Sequence, residues 1–283
     1  MSESLPEFHL GIVGGCSSHQ HRIPLNALYQ RQLAGMLEAD PGIRLRPYIV
    51  RDFELDLRTR LDRLLAGPPM DGVLVHIRAA NMVVPGRLVR HLTTVGANPH
   101  SVLNPALLSR EHPSSAALSL QPRSGRGRDK LRGPDAYGDS PDSQDRPPRG
   151  PRIFGFRVRN LNLALGALVG LDNWAIAEEL RRFDEFEKAC RECGLPLFAV
   201  GPLPVEYSYW TRRIVRKANA LIRRHLSGGE VPFALIDQAH DAAGRPLTRA
   251  DGVHLTVEGQ RFLAEVLYDH GMREWMTSIL KRS

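Results

Sequence analysis

Short apolar runs alternate with stretches in which apolar residues recur every three to four positions, and this rhythm runs through most of the 283-residue chain. Residues 8–15, FHLGIVGG, read as a buried strand, 24–37 as a helix, 44–50 as a second strand, 55–65 as a helix and 72–77 as a third strand after the breaker GPP. Further on, 175–193 predict a long amphipathic helix that stops at Gly194, a residue suited to the left-handed position past a helix end. LPLFAVGP is a fourth strand, 209–225 a helix and 232–237, PFALID, a fifth strand. A last helix is expected over about 257–270, with Thr256 as its N-cap. Five strands separated by helices predict an α/β fold, a three-layer α/β/α sandwich around a five-stranded parallel sheet. Parallel strands need crossover connections and helices over both faces.

The rhythm fails over residues 111–152. About two-fifths of this stretch is Pro, Gly or Ser, and apolar residues become sparse after Leu120. Such a composition cannot bury enough apolar surface to offset the cost of ordering the chain, so a disordered insertion is expected there. Residues 1–110 and 153–283 are then one domain, interrupted but not divided. The apolar stretch 160–171 is too short to span a bilayer and reads as a buried helix or as the lining of an acyl pocket.

The net charge of +7 raises nucleic acid as a partner. Its distribution argues against that. The insertion holds about +2 of the surplus with its arginines interleaved with acids, as in GRGRDKLRGPD, and the other arginines fall mostly on helical patterns such as RRIVRKANALIRRH, whose charged face is ordinary solvated surface. No zinc-finger, RNA-recognition or homeodomain signature accompanies them. The three cysteines, Cys16, Cys190 and Cys193, are too few and odd in number for a disulfide framework. The first residues, MSESLPEFHLGIVGG, have no basic region before the apolar run. Together these make a reducing, cytoplasmic location the expectation. Oligomeric state is not readable from the sequence.

In parallel α/β sheets ligands bind outside the carboxyl ends of the strands, and two reactive segments fall there. Gly14, Gly15, Cys16, Ser17, Ser18 and His19 follow the first strand and precede the first helix. Paired glycines permit a tight turn and close backbone approach. Backbone N–H groups at a helix start favour an anion, and a thiol placed there has a lowered pKa and a ready oxyanion site. The second segment is 250–256, ADGVHLT, between the fifth strand and the last helix. Asp251, three residues ahead of His254 with a glycine between, can fold onto one imidazole nitrogen and leave the other outward. That is the work of the orienting acid and the general base in a nucleophilic triad.

ADGVHLTVEGQRFLAEVLYDHG resembles the last block of the SGNH/GDSL hydrolases, in which Asp-Gly-x-His-Leu leads into the C-terminal helix. LFAVGPLPV, KANALIRR and PFALID agree with the family in order, and LGIVGGCSS stands where the first block, Gly-Asp-Ser-x-Thr, carries the nucleophilic Ser. The resemblance covers the chain apart from the insertion and implies an SGNH, flavodoxin-like fold. It also implies attack on a small-molecule ester with no metal and no organic cofactor. In one register Gly14 matches the Gly, Gly15 the Asp, Cys16 the nucleophile and Ser18 the Thr; shifted by one, Ser17 is the nucleophile. The first register keeps the strand better, and some relatives of this fold carry Cys in a Gly-Ser-Cys motif. Cys16 is preferred, with Ser17 as the alternative.

The departures from the family bear on the oxyanion hole. Its second block supplies a glycine after strand two, whereas residues 47–53, PYIVRDF, contain none. Its third block, Gly-x-Asn-Asp, is represented only by residues 77–82, IRAANM, which matches Asn81 to the family Asn. Arg78 or Arg51 offers positive charge there instead, suited to an anionic substrate. Losing one oxyanion donor typically costs about 10²–10³ in rate. The alternative is therefore a catalytically degraded SGNH-fold protein that binds a ligand or partner in the same cleft. Cys190 and Cys193, at a helix end with no second Cys pair, point neither to redox chemistry nor to zinc. His19 and His21 read as exposed loop histidines, and G-x-x-G-G lacks the dinucleotide-binding spacing.

Overall fold

Strand β1 (Glu7–Val13) runs from a half-exposed start into full burial, and its whole length pairs in parallel with β2 (Arg44–Val50), from Glu7 opposite Arg44 to Val13 opposite Val50. In this computed structural model the described residues are 5–14, 18, 23–40, 42–50, 56–78, 82, 152–153, 156–157, 167, 170–203, 209–249 and 254–282. Among them β3 (Gly72–His76), β4 (Leu197–Val200) and β5 (Phe233–Ala234) complete a five-stranded sheet in the order β2-β1-β3-β4-β5, every pair parallel. Arg152–Ile153 and Phe156–Arg157 form a separate two-stranded antiparallel ladder. No described helix is long and apolar enough to cross a membrane.

Side chains alternate across a strand, and the two faces of the sheet bury different sets. Phe8, Leu10, Ile12, Leu74, Phe198 and Val200 face α1 (Tyr29–Ala39), α5 (Val257–Leu267) and α6 (Arg273–Leu280). Val13, Val73, Val75 and Ala199 face α2 (Leu57–Leu65), α3 (Leu171–Glu192) and α4 (Tyr209–Leu226). The predicted three layers are therefore present, with all five residues of β3 buried at the middle of the sheet.

Several boundaries differ from the sequence reading for local reasons. The helix expected over 24–37 is broken: Leu25–Ala27 make a short 3-10 turn, Leu28 is extended (φ −70°, ψ 142°), and α1 starts at Tyr29. Asp56 begins α2, accepting from the Thr59 N–H at 2.8 Å. α3 starts four residues before the expected 175, at Leu171, and ends at Glu192 with Cys193 as its C-cap, one residue before the expected end, and Gly194 follows at φ +68° as anticipated. The fifth strand keeps only Phe233–Ala234 of PFALID, because the Ile236 carbonyl accepts from the Asn219 side chain of α4 at 3.2 Å instead of joining the sheet. The last helix stops at Leu267. A wider turn, Tyr268–Met272, follows, in which His270 and Gly271 leave helical geometry, and α6, which the hydrophobic pattern did not reveal, comes after it. The expected insertion lies outside the described residues except Arg152, and the apolar stretch 160–171 likewise except Ala167, Gly170 and Leu171.

Candidate active site

With strand order 2-1-3-4-5, β1 is followed by α1 on one face of the sheet and β3 by α3 on the other, the kind of switch point at whose carboxyl ends parallel α/β sheets bind ligands. The first candidate segment emerges there. Gly14 follows β1 directly, and the buried Ser18 side chain folds back onto it so closely that a methyl group on Gly14 would collide with Ser18 Oγ. Gly15, Cys16 and Ser17 lie between these two positions and outside the described residues, as do His19 and His21.

Beside this turn, β3 ends in His76 and continues through Ile77, whose N–H donates to the Val200 carbonyl at 2.8 Å. The next N–H, that of Arg78, donates to Glu179 Oε1 of α3 at 3.3 Å, and Glu179 also lies 3.8 Å from the Arg182 guanidinium. Arg60, on α2, is buried beneath, its Nη1 3.5 Å from the Gly14 carbonyl. Burial and the neighbouring Arg78 charge pull the Arg60 pKa down to about 9, against the raising influence of Glu179 and Asp56. At neutral pH it remains a cation. The sequence-predicted Arg78 is thus placed at the carboxyl edge of β3, in an arginine-rich setting with a buried carboxylate. Asn81 and Arg51 lie outside the described residues.

The second segment returns to the same edge through an antiparallel arm. Thr248 bridges to Leu255, and the Arg249 N–H donates to the His254 carbonyl at 2.7 Å. Asp251 belongs to residues 250–253, which connect these bonded positions and lie outside the described ones; His254 is half-buried. Thr256 caps α5 as predicted, its side chain accepting from the Gly259 N–H at 2.9 Å, while its own N–H donates to the Leu247 carbonyl at 2.9 Å. Gly259 is needed here, since a methyl group would strike the Leu247 carbonyl oxygen.

The two segments are tied to each other. Gln260 Oε1, one residue beyond Gly259, accepts from the Tyr29 N–H at 2.9 Å, and the Tyr29 hydroxyl lies 3.2 Å from Ser18 Oγ. It also lies 2.8 Å from His76 Nε2. Sequence reasoning missed Tyr29, His76, Gln260, Arg60 and Glu179. Tyr29 and Gln260 fall inside amphipathic helix patterns that give them no motif. Only His76, an ionisable residue within the apolar run GVLVHI, left a visible signal.

Other candidates fall away from this edge. Cys190 is buried in the last turn of α3, which raises its thiol pKa to about 12, and Cys193 is exposed beside it. The thiol of Cys190 is therefore protonated and unreactive. An open groove of about 700 Å³, lined by Leu195, Pro196, Leu197, Val231, Pro232 and Trp275 among others, lies at the amino ends of β4 and β5, the opposite end of the sheet.

No family model matches this chain, and no curated protein matches it. Among solved structures it is similar to a catalytic mutant of Axe2, an acetylxylan esterase from Geobacillus stearothermophilus, at 12% identity over 94% of this chain and 95% of that one, TM-score 0.45. It is also similar to TesA, at 13% identity over 93% and 97%, TM-score 0.46. A family 3 carbohydrate esterase from Clostridium thermocellum matches at 10% identity over 96% and 98%, TM-score 0.44. With TM-scores below 0.5, these likenesses leave any functional reading to the chain's own residues.

Proposed function

We propose that this protein cleaves a carboxylic ester of a small molecule, as a hydrolase or acyl-transfer enzyme of the SGNH type. The observation that carries the reading is the bonded link from Ser18 through Tyr29 to Gln260, which supports a common edge for the Gly14–Ser18 turn and the His254 segment. In the proposed mechanism Cys16, or Ser17 in the alternative register, attacks the ester carbonyl while His254 takes the nucleophile's proton. Asp251 orients His254 and stabilises the imidazolium. The tetrahedral oxyanion is received by the backbone N–H of Cys16, in the turn opened by Gly14 and Gly15, and by Asn81. Arg78 supplies positive charge to the same crevice, which favours substrates that are anionic near the ester. His254 then returns the proton to the leaving alcohol, and water releases the acyl group by the same steps in reverse.

A panel of short-chain p-nitrophenyl esters tests this on wild type, His254→Ala, Cys16→Ala and Ser17→Ala. His254→Ala is expected to lower kcat by about 10³ or more, as loss of a triad base does. Activity unchanged in that variant would overturn the triad. Retention in Cys16→Ala with loss in Ser17→Ala would move the nucleophile by one residue. Wild type without turnover on any ester would favour the alternative, a protein that binds a ligand or partner in this cleft.

A further inference from the structure

A run of buried polar groups joins the elements around the proposed site without belonging to the triad. Ser18, Tyr29, Gln30, His76 and Gln260 are all at least nine-tenths buried. The Tyr29 hydroxyl stands between His76 Nε2, at 2.8 Å, and Ser18 Oγ, at 3.2 Å. Gln30 Nε2 donates to the Ser18 carbonyl at 3.1 Å, and the Tyr29 N–H donates to Gln260 Oε1 at 2.9 Å. The rings of Tyr29 and His76 meet edge to face, 5.5 Å between centroids.

Packing alone does not ask for these groups. Burying a hydroxyl or an amide is unfavourable unless it is hydrogen-bonded, and a wholly apolar set would fill the same volume at no such cost. Their common property is position. Ser18 is two residues past Cys16 and one past Ser17, His76 is two before Arg78, and Gln260 is six past His254 on the helix that Thr256 caps. Tyr29 is the first residue of α1 and touches all three through two different groups, its hydroxyl and its N–H. The extended Leu28 makes this geometry available, because a helix continuous from residue 24 would have engaged the Tyr29 N–H in its own ladder. Burial holds His76 neutral, with its pKa down near 4, and pushes the Tyr29 pKa well above the usual phenol range. The contacts are therefore between uncharged groups throughout the neutral range.

We propose that Tyr29 is a positioning residue, whose hydroxyl holds Ser18 against the end of β3 while its N–H holds Gln260, so that the nucleophile turn and the His254 segment keep one register. This rests on the proposed ester-cleaving reading for its catalytic consequence, but its structural consequence is measurable without any substrate. Displacement of reacting groups by about 1 Å costs on the order of 10²-fold in rate.

The test compares Tyr29→Phe, Ser18→Ala and Leu33→Ala, the last a destabilising truncation of the buried core on the same helix. The readouts are kcat and KM on p-nitrophenyl acetate, thermal midpoint, and amide hydrogen exchange of peptides covering residues 14–23. Tyr29→Phe is expected to lower kcat about 10- to 100-fold with KM within about threefold. Exchange over 14–23 should accelerate, and Ser18→Ala should move both in the same direction. Leu33→Ala should lower the thermal midpoint at least as far without either change. Tyr29→Phe with wild-type kcat and exchange, or with changes that only track its thermal midpoint as those of Leu33→Ala do, would overturn the proposal. If Tyr29→Phe does not fold, Ser18→Ala decides by the same criteria, since it keeps the bond between Tyr29 and His76. If wild type cleaves no ester, the ester-cleaving reading fails, and exchange alone decides the positioning role: accelerated exchange supports it and unchanged exchange overturns it.

Discussion

His76 is a buried imidazole whose Nε2 lies 2.8 Å from the neutral phenol of Tyr29. Its pKa of about 4 lies below the 6.5 of an ordinary imidazole, so as pH falls the unfolded chain takes up the proton first. The stability tied to its neutral form is complete above about pH 6.5 and is lost progressively as pH falls toward 4. Between about pH 7 and pH 4.5 this single group is worth about 2–3 kcal/mol. Denaturant titrations at the two pH values should show that loss in wild type and a correspondingly smaller one in His76→Gln, which keeps hydrogen-bonding atoms but does not titrate. An equal acid loss in both proteins would show that other groups carry it. The same reasoning applies to Cys190, whose burial keeps the thiol protonated and unreactive.

At the scale of an element, the start of α5 holds the neighbouring chain as well as its own first turn. Thr256 caps it through the Gly259 N–H and at the same time hydrogen-bonds the arm that returns from β5, while Gly259 lets the Leu247 carbonyl approach. A cap of this kind is worth about 1 kcal/mol, and a methyl group against a backbone carbonyl costs more, about 1–3 kcal/mol, because no side-chain rotation relieves it. Gly259→Ala is therefore expected to destabilise the protein more than Thr256→Ala in denaturant titrations, and to lower ester turnover by displacing His254. Equal stability in the two variants would mean that the arm yields freely and does not hold α5. By contrast, Asp56→Ala removes the same kind of cap from α2, on the other face of the sheet, and should cost about 1 kcal/mol with turnover unchanged.

For the whole molecule, the two apolar faces of the sheet are each covered by helices drawn from both sides of residues 111–150, so the described core joins segments on either side of this stretch. Its Pro, Gly and Ser content lacks the apolar periodicity of a packed element. A chain lacking residues 111–150, joined by a short Gly/Ser linker, is expected to stay monodisperse with a thermal midpoint within a few degrees of wild type. Aggregation, or a fall in the midpoint comparable to a core truncation, would assign the segment a structural role. Arginines at this scale occupy two settings: Arg181 on the surface pairs along its helix with Glu178 and Glu185, and Arg60 is buried under the carboxyl edge near Arg78.

Periodicity by itself determined the parallel α/β architecture, because a strand buried on both faces and an amphipathic helix leave different spacings of apolar residues, and those spacings follow from local geometry. It located β1, β2 and β3 within a residue or two, the start of α4, and the Thr256 cap. Motif spacing also singled out Arg78 and His254, which the fold places in the segments following β3 and β5. Tertiary structure decided the rest. The break at Leu28, the early end of β5 and the separate α6 go with contacts to residues far along the chain: the Tyr29 N–H with Gln260, the Ile236 carbonyl with Asn219, and Trp275 of α6 tilted against Phe8 and edge-on to Phe198. The buried link through Ser18, Tyr29, His76 and Gln260 is of the same kind. Its members are up to 242 positions apart, and neither Tyr29 nor Gln260 carries a motif in its own helix. Only closure of the sheet brings a hydroxyl, an imidazole and an amide within hydrogen-bonding distance, and no local pattern of polarity records that meeting.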